Sequence, residues 1–395
     1  MRPSPSAGPT TRVWLDPADA DVDDLAAVLA AGTDPRDHPQ AASVVDGVPV
    51  YDGDALRAAG ASPPERRELG AELVRALLDG PGIVVLAGAF DDPAVVDRTS
   101  AVFHELIAYQ HRSGAAAGDH FAPPGANDRV WNALEKLALR DPAVFADYYA
   151  NEAIALVCQA WLGPGYQMTS QVNVVNPGGP AQSPHRDYHL GFQTTAGAAR
   201  YPAHAHRLSP ALTLQGAVAH CDMPMESGPT LYLPHSQKYP LGYLVAERPE
   251  FRAYFDAHHV QLPLAKGDAV FFNPALLHAA GHNRSAGIRR MANLLQVSSA
   301  FGRAMETVDR ETCSLAVFPE LRRLRAAGAP AGALGNVIAA SAEGYAFPTD
   351  LDRDPPVDGL APPSQADLVW QALQEDRTTD RLRTALAEQA ARRRS

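Results

Sequence analysis

Near Gly163 the hydrophobic pattern of this chain changes from the period of helices to the period of strands, and this change restricts the available folds more than any other feature. Before it, "RRELGAELVRALLDG", "DDPAVVDRTSAVFHELIAYQHRSG" and "VWNALEKLALRDPAVFADYYANEAIALVCQAWLG" carry apolar residues at helical spacing. After it, "YQMTSQVNVVNPG", "ALTLQGAVAHCDM", "PTLYLPHS", "HVQLPL", "DAVFFNP" and "IRRMANLLQVSSAF" are short strand-like runs separated by Gly, Pro, Asn and Asp. Strands that follow one another without intervening helices point to a sandwich or barrel, not a parallel βαβ sheet. The expected fold is mainly β with flanking helices.

The boundaries follow from local signals. The first dozen residues, rich in Pro, Ser and Gly, are expected to be disordered, and residues 1–60 as a whole are read as an N-terminal extension packed on the main body. Ser62 with Glu65 makes a capping box and Pro63 suits a first helical position, so a helix is expected from there to about Asp79. The run "IVVLAGAF" reads as a buried strand, and a second helix is expected over 92–112. "AAAGDHFAPPGAND" reads as a mobile loop, and residues 191–211, a stretch of small residues, as a long functional or disordered insertion. The main domain spans 61–315, and 316–395 form a C-terminal helical extension with polar surface helices over 364–393.

Composition excludes several function classes. Apolar residues make up 46% of the 395 and charged residues 20%, enough to bury a sizeable core. A formal charge of -11 argues against a nucleic-acid backbone as partner. No apolar run approaches the ~20 residues that span a bilayer, and the N-terminus lacks the apolar segment of a secretory signal, so the expected location is cytoplasmic. Cys158, Cys221 and Cys313 are widely separated with no paired spacing, which suits reduced thiols and removes a cysteine-based metal site. Any metal is held by nitrogen and oxygen.

Within "SPHRDYHLGF" such a site is suggested. Side chains two apart on an extended chain point the same way, so His185 and Asp187 project together and offer a cation two ligands. "GDAVFFNPALLHAAGHN" adds His278 just after an apolar strand, with His282 four residues on. Two histidines and a carboxylate on one face, with the other positions open, is the pattern of non-haem Fe(II) oxygenases.

Four segments in order, "GIVVLAGAF", "SPHRDYH", "CDMPMESGPTLYLPHSQK" and "KGDAVFFNPALLHAAGHNRSAGIRRMANLLQVS", give the chain a resemblance to the phytanoyl-CoA dioxygenase family of Fe(II)- and 2-oxoglutarate-dependent oxygenases over roughly residues 65–300. The resemblance implies a double-stranded β-helix, the cupin-like jelly roll. It implies His185, Asp187 and His278 as iron ligands, Arg289 as the guanidinium that anchors the far carboxylate of 2-oxoglutarate, and Arg290 as the alternative, since neighbours on a strand face opposite ways. Gln171 matches a position that contacts the cosubstrate. Dioxygen is the co-reactant and a small molecule the substrate. Halogenating relatives lack the carboxylate that Asp187 supplies, so hydroxylation is the expected oxidation. The chain departs from the family at "LPHSQK", where His235 replaces a turn glycine and Gln237 a histidine.

Other residues are weaker candidates. His189 shares the face of the ligands if the strand continues, and Tyr188, Phe192, Trp131 and Phe121 are aromatic candidates for a substrate pocket. Arg200, His204, His206 and Arg207 lie in the insertion, where they suit either a lid or plain solvation. A cupin-like metalloenzyme that does not use 2-oxoglutarate, and a catalytically silent binding protein on the same scaffold, are the alternatives left open.

Overall fold

The computed structural model describes residues 13–113, 125–356 and 359–394. The first dozen residues, most of the loop expected after the second helix, and Phe121 lie outside the described residues. Among these, eleven strands are present: β1 Ser43–Val45, β2 Val48–Asp52, β3 Ile83–Ala87, β4 Asn127–Val130, β5 Gln167–Val175, β6 Thr213–Ala219, β7 Leu231–Tyr232, β8 Val260–Gln261, β9 Ala269–Phe272, β10 His278–Ala279 and β11 Arg290–Ser298.

The strands form a large sheet ordered β1-β2-β3-β9-β6-β11-β5-β4 and a small one ordered β10-β7-β8. All pairs are antiparallel except β2 with β3. The small sheet is extended by a single bridge between His185 and His278. The architecture is a jelly roll with flanking helices, as expected.

Alternation along each strand of the large sheet serves two environments at once. On β5, Met168, Val172 and Val174 enter the main core, whereas Gln171, Asn173 and Val175 line a cavity between the sheets. On β9, Ala269 and Phe271 enter the core, while Val270 and Phe272 face the cavity. Full burial of a side chain such as Phe271 contributes about 1.5–3 kcal/mol. The core side is covered by helices Pro63–Leu78, Ala133–Arg140, Pro142–Tyr149 and Glu152–Leu162, joined by Arg310–Ala326 and Ala331–Ser341.

Several local expectations need correction. Helix Pro63–Leu78 forms, but Ser62 makes no side-chain cap. Pro64 at the second helical position removes one of the two N–H groups that an N-cap side chain serves. The helical run after Val130 is three helices, because Asp141 and Asn151 each interrupt it and cap the next one through Val144 N and Ile154 N. Residues 191–211 are not one long loop: Thr195–Ala198 and Ala203–Ala211 are helical. In the N-terminal segment, β1 and β2 lengthen the large sheet. Helices Gln365–Gln374 and Thr379–Arg392 send Val369, Leu373, Leu382 and Leu386 into the main core. The backbone at His235 is left-handed, φ 70°, a conformation that favours glycine. Cys158 and Cys313 are buried and Cys221 half-buried, all unpaired.

Candidate metal centre

The cavity between the sheets measures about 610 Å³ and holds His185, Asp187 and His278 in its wall. The bridge of His185 N to His278 O (2.9 Å) and His278 N to His185 O (3.1 Å) sets the two imidazoles side by side, ring centroids 4.5 Å apart. An Asn-Pro turn after β9 holds the third: Asp187 N donates to Pro274 O at 3.1 Å, and Ala275 N to Asn273 Oδ1 at 2.9 Å. One ligating atom from each of the three residues lies within 4.8 Å of the others. Asp187 Oδ1 is 3.7 Å from His185 Nε2, and Oδ2 is 3.5 Å from His278 Nε2.

The tautomers follow from the hydrogen bonds. His185 Nδ1 lies 2.8 Å from Ser183 O, and His278 Nδ1 lies 2.9 Å from Leu276 O. A carbonyl only accepts, so both Nδ1 atoms carry hydrogen, and a ring in its neutral form presents its lone pair at Nε2. Burial, and then the neighbouring His278, push the His185 pKa down and favour this neutral form. Burial alone would raise the Asp187 carboxyl, but a hydrogen bond from His278, the charge of His185 and His278 when they carry a second proton, and the Gln215 amide outweigh burial and hold it well below the usual carboxylate range. Two lone pairs and one carboxylate converging on a point, each imidazole oriented by a backbone acceptor, fit a divalent first-row cation.

The other sequence candidates divide. Gln171 lines the cavity: its Oε1 accepts from Arg129 Nη1 at 3.0 Å, and its Nε2 donates to Gln296 Oε1 at 3.2 Å. Trp131 and the half-exposed Phe192 line it too. His189 does not. The extended chain ends after Asp187, because Tyr188 and His189 take positive φ of 61° and 33°, and this turns His189 Nδ1 toward Ser209 Oγ at 3.3 Å. The turn closes with Gly191 N on Tyr188 O (2.7 Å), where a Cβ at Gly191 would collide with the Arg186 carbonyl. Tyr188 is buried behind the wall, its ring against Phe192. His282 is exposed and outside the cluster.

Of the two arginines considered for the cosubstrate, Arg290 lines the cavity and Arg289 does not. Arg289 is half exposed and pairs with Asp128 at 2.9 Å, outside the cavity. Arg290 is 7% exposed and lines the cavity, with Nη1 donating to Ser227 O at 3.1 Å and Gly281 O at 3.3 Å. The reason is the phase of β11: Met291, Leu295 and Val297 enter the core, so Arg290, Ala292, Leu294 and Gln296 face the cavity. Burial lowers the Arg290 pKa to about 10, which leaves it charged at neutral pH.

Sequence reasoning missed Arg129, Gln215 and Gln296. Arg129 is 6% exposed, lines the cavity and lies 4.9 Å from the Trp131 ring centroid. Gln215 Nε2 donates to Asp187 Oδ2. The available signal was a long polar side chain inside an otherwise apolar strand, "TLQGAVA" and "NLLQVSS". Within the insertion His206 is buried on Ala198 O (3.0 Å), whereas Arg200, His204 and Arg207 are exposed.

No curated protein matches this chain. Solved structures similar to it include the non-haem alpha ketoglutarate dependent epimerase SnoN from nogalamycin biosynthesis, at 22% identity over 60% of this chain and 85% of that one, with a TM-score of 0.42. AviO1 from Streptomyces viridochromogenes Tue57 is similar at 19% identity over 59% and 96%, TM-score 0.42. Residues 63–291 match the model of the Phytanoyl-CoA dioxygenase (PhyH) family. That span is more than half the chain and contains His185, Asp187, His278 and Arg290, so the chain belongs to this family of iron- and 2-oxoglutarate-dependent oxidoreductases.

Proposed function

We propose that the protein hydroxylates a C–H bond of a small organic substrate while converting 2-oxoglutarate and dioxygen to succinate and carbon dioxide. The supporting observation is the meeting, in one cavity, of the His185, Asp187 and His278 cluster with the buried guanidinium of Arg290. Nε2 of His185, Nε2 of His278 and the Asp187 carboxylate hold Fe(II). The bound metal supplies the redox chemistry with dioxygen that no side chain has. Gln215 keeps one Asp187 oxygen in place. Arg290 anchors the far carboxylate of the cosubstrate, a task that suits a planar fork carrying permanent charge.

Gln171, oriented by Arg129 and Gln296, borders the same space and contacts the cosubstrate. A cavity of about 610 Å³ lies within the range of small-molecule sites and has room for a cosubstrate and a modest substrate. Trp131 and Phe192 give the substrate side of the wall its apolar surface. No described helix is long and apolar enough to cross a membrane.

The test needs no substrate. Supplied with Fe(II), 2-oxoglutarate and air, the wild-type protein slowly releases succinate, and Asp187→Ala does not. Equal succinate release from both proteins would refute the reading.

A further inference from the structure

The residue between the two proposed ligands is itself buried and faces the other way. His185 and Asp187 line the cavity, whereas Arg186, one step out of phase, is 3% exposed and lies outside the lining. Its Nη2 donates to Ser236 O and, at 3.0 Å, to Tyr239 O. The guanidinium sits 5.1 Å from the Tyr243 ring centroid. Gly242 packs so closely that a Cβ there would fall on the guanidinium itself. Among the described residues no carboxylate pairs with it. A buried cation held only by carbonyls and a ring face costs more to desolvate than an apolar side chain of the same volume. Filling space therefore does not account for an arginine here.

What this arginine grips is connected to the third ligand. Ser236 is fully buried, and while its carbonyl accepts from Arg186, its Oγ accepts from Leu277 N at 2.8 Å, the residue before His278. Leu233 N donates to Leu277 O at 2.9 Å and fixes the same piece of chain from the other side. The backbone of the ligand pair is held by one bridge to β10, itself two residues long, and by the bond from Asp187 N to Pro274 O.

We infer that Arg186 and Ser236 form a bracket behind the metal centre that sets the spacing of His185 and Asp187 against His278, which makes Arg186 a positioning residue for the metal. This rests on the reading of those three residues as ligands. One nitrogen, Nη2, meets both carbonyls while the flat guanidinium lies on the Tyr243 ring, and lysine keeps the charge but not that flat contact.

The probe is Co(II), whose visible ligand-field bands report coordination geometry without turnover. Metal-free wild type, Arg186→Met, Arg186→Lys and His220→Gln are titrated with Co(II), with folding checked by circular dichroism. His220 is buried across the large sheet from the cavity and serves as the control for lost stability alone. Arg186→Met is expected to bind Co(II) about 10- to 100-fold more weakly, the range for residues that orient ligands, with shifted bands. Arg186→Lys falls between it and wild type, and His220→Gln unfolds more easily but keeps wild-type affinity and bands. Folded Arg186→Met with wild-type affinity and bands overturns the inference alone. If that variant does not fold, Arg186→Lys decides by the same criterion. Wild type that binds no Co(II) overturns the metal reading and the bracket with it.

Discussion

Replacing Arg290 should weaken 2-oxoglutarate binding severely, whereas replacing its neighbour Arg289 should hardly matter. Nη1 of Arg290 is committed to Ser227 O and Gly281 O, which leaves the hydrogens of Nε and Nη2 for a bidentate carboxylate. Hydrogen bonds to charged groups contribute about 1.5–3 kcal/mol each. Losing two of them in a buried site removes roughly 3–5 kcal/mol, or a hundredfold to several thousandfold in affinity. Arg289→Ala removes a half-exposed pair with Asp128, worth at most about 1 kcal/mol, so its effect stays within roughly fivefold. Calorimetric titration of the metal-loaded protein with 2-oxoglutarate measures both, and Arg290→Lys should recover part of the loss. Wild-type affinity in Arg290→Ala, or an equal loss in Arg289→Ala, would refute the assignment drawn from the phase of β11.

Three further outcomes are expected. Gln215→Leu frees one oxygen of Asp187 and should weaken Fe(II) binding by about 10- to 100-fold in an anaerobic titration; unchanged affinity would show that the amide does not orient the ligand. At position 235 the backbone is left-handed, so His235→Ala and His235→Gly lose the same bonds to Thr33 and Lys238, but alanine keeps the strain. Urea unfolding should therefore find the glycine variant more stable than the alanine variant by about 1 kcal/mol, the reverse of their order in a helix. Burial lowers the His220 pKa from 6.5 to about 3, so the unfolded chain takes up a proton there more readily than the native one. The stability this contributes is complete above pH 6.5 and is lost as pH falls toward 3, at about 1.4 kcal/mol per pH unit. His220→Gln should flatten the acid limb of a stability–pH curve measured in urea, and an unchanged limb would remove His220 as its source.

Much of the site was legible because the signals that define it are local. Spacing alone put His185 and Asp187 on one side of an extended segment, and the runs after Gly163 are strands in the observed sheets. What escaped depends on partners distant in sequence. The segment "NDRV", divided in the sequence between the end of a loop and the start of a helical run, becomes β4 only because β5 offers it an edge, and that pairing is what brings Arg129 into the cavity. The insertion has no apolar stripe, and its order comes instead from Thr194 capping Gly197 N and from His206 buried against Tyr243. The choice between Arg289 and Arg290 stayed open in the sequence for a related reason. Both faces of "MANLLQV" carry apolar residues, one for the core and one for the cavity, so the strand's phase is fixed only when the helices cover one side.

That two-sided strand explains how one sheet builds both stability and a reactive site. A strand buried on both faces normally reads as a continuous apolar run, yet here the cavity face admits Gln171, Asn173, Gln215, Gln296 and Arg290. Burying such groups costs free energy unless each finds a partner. Gln171 and Gln296 bond each other, Gln215 bonds Asp187, and Arg290 bonds two carbonyls. The large sheet can hold these groups because its other face, packed on helices, supplies the apolar burial that stabilises the fold. The small sheet packs on a smaller apolar cluster with Phe251 and Phe255, and its regular pairing is short, since β7, β8 and β10 are two residues each. Two of the three proposed ligands, His185 and Asp187, lie outside any named strand and the third on β10, so side-chain ties such as that from Arg186 must supply the rigidity that regular pairing does not.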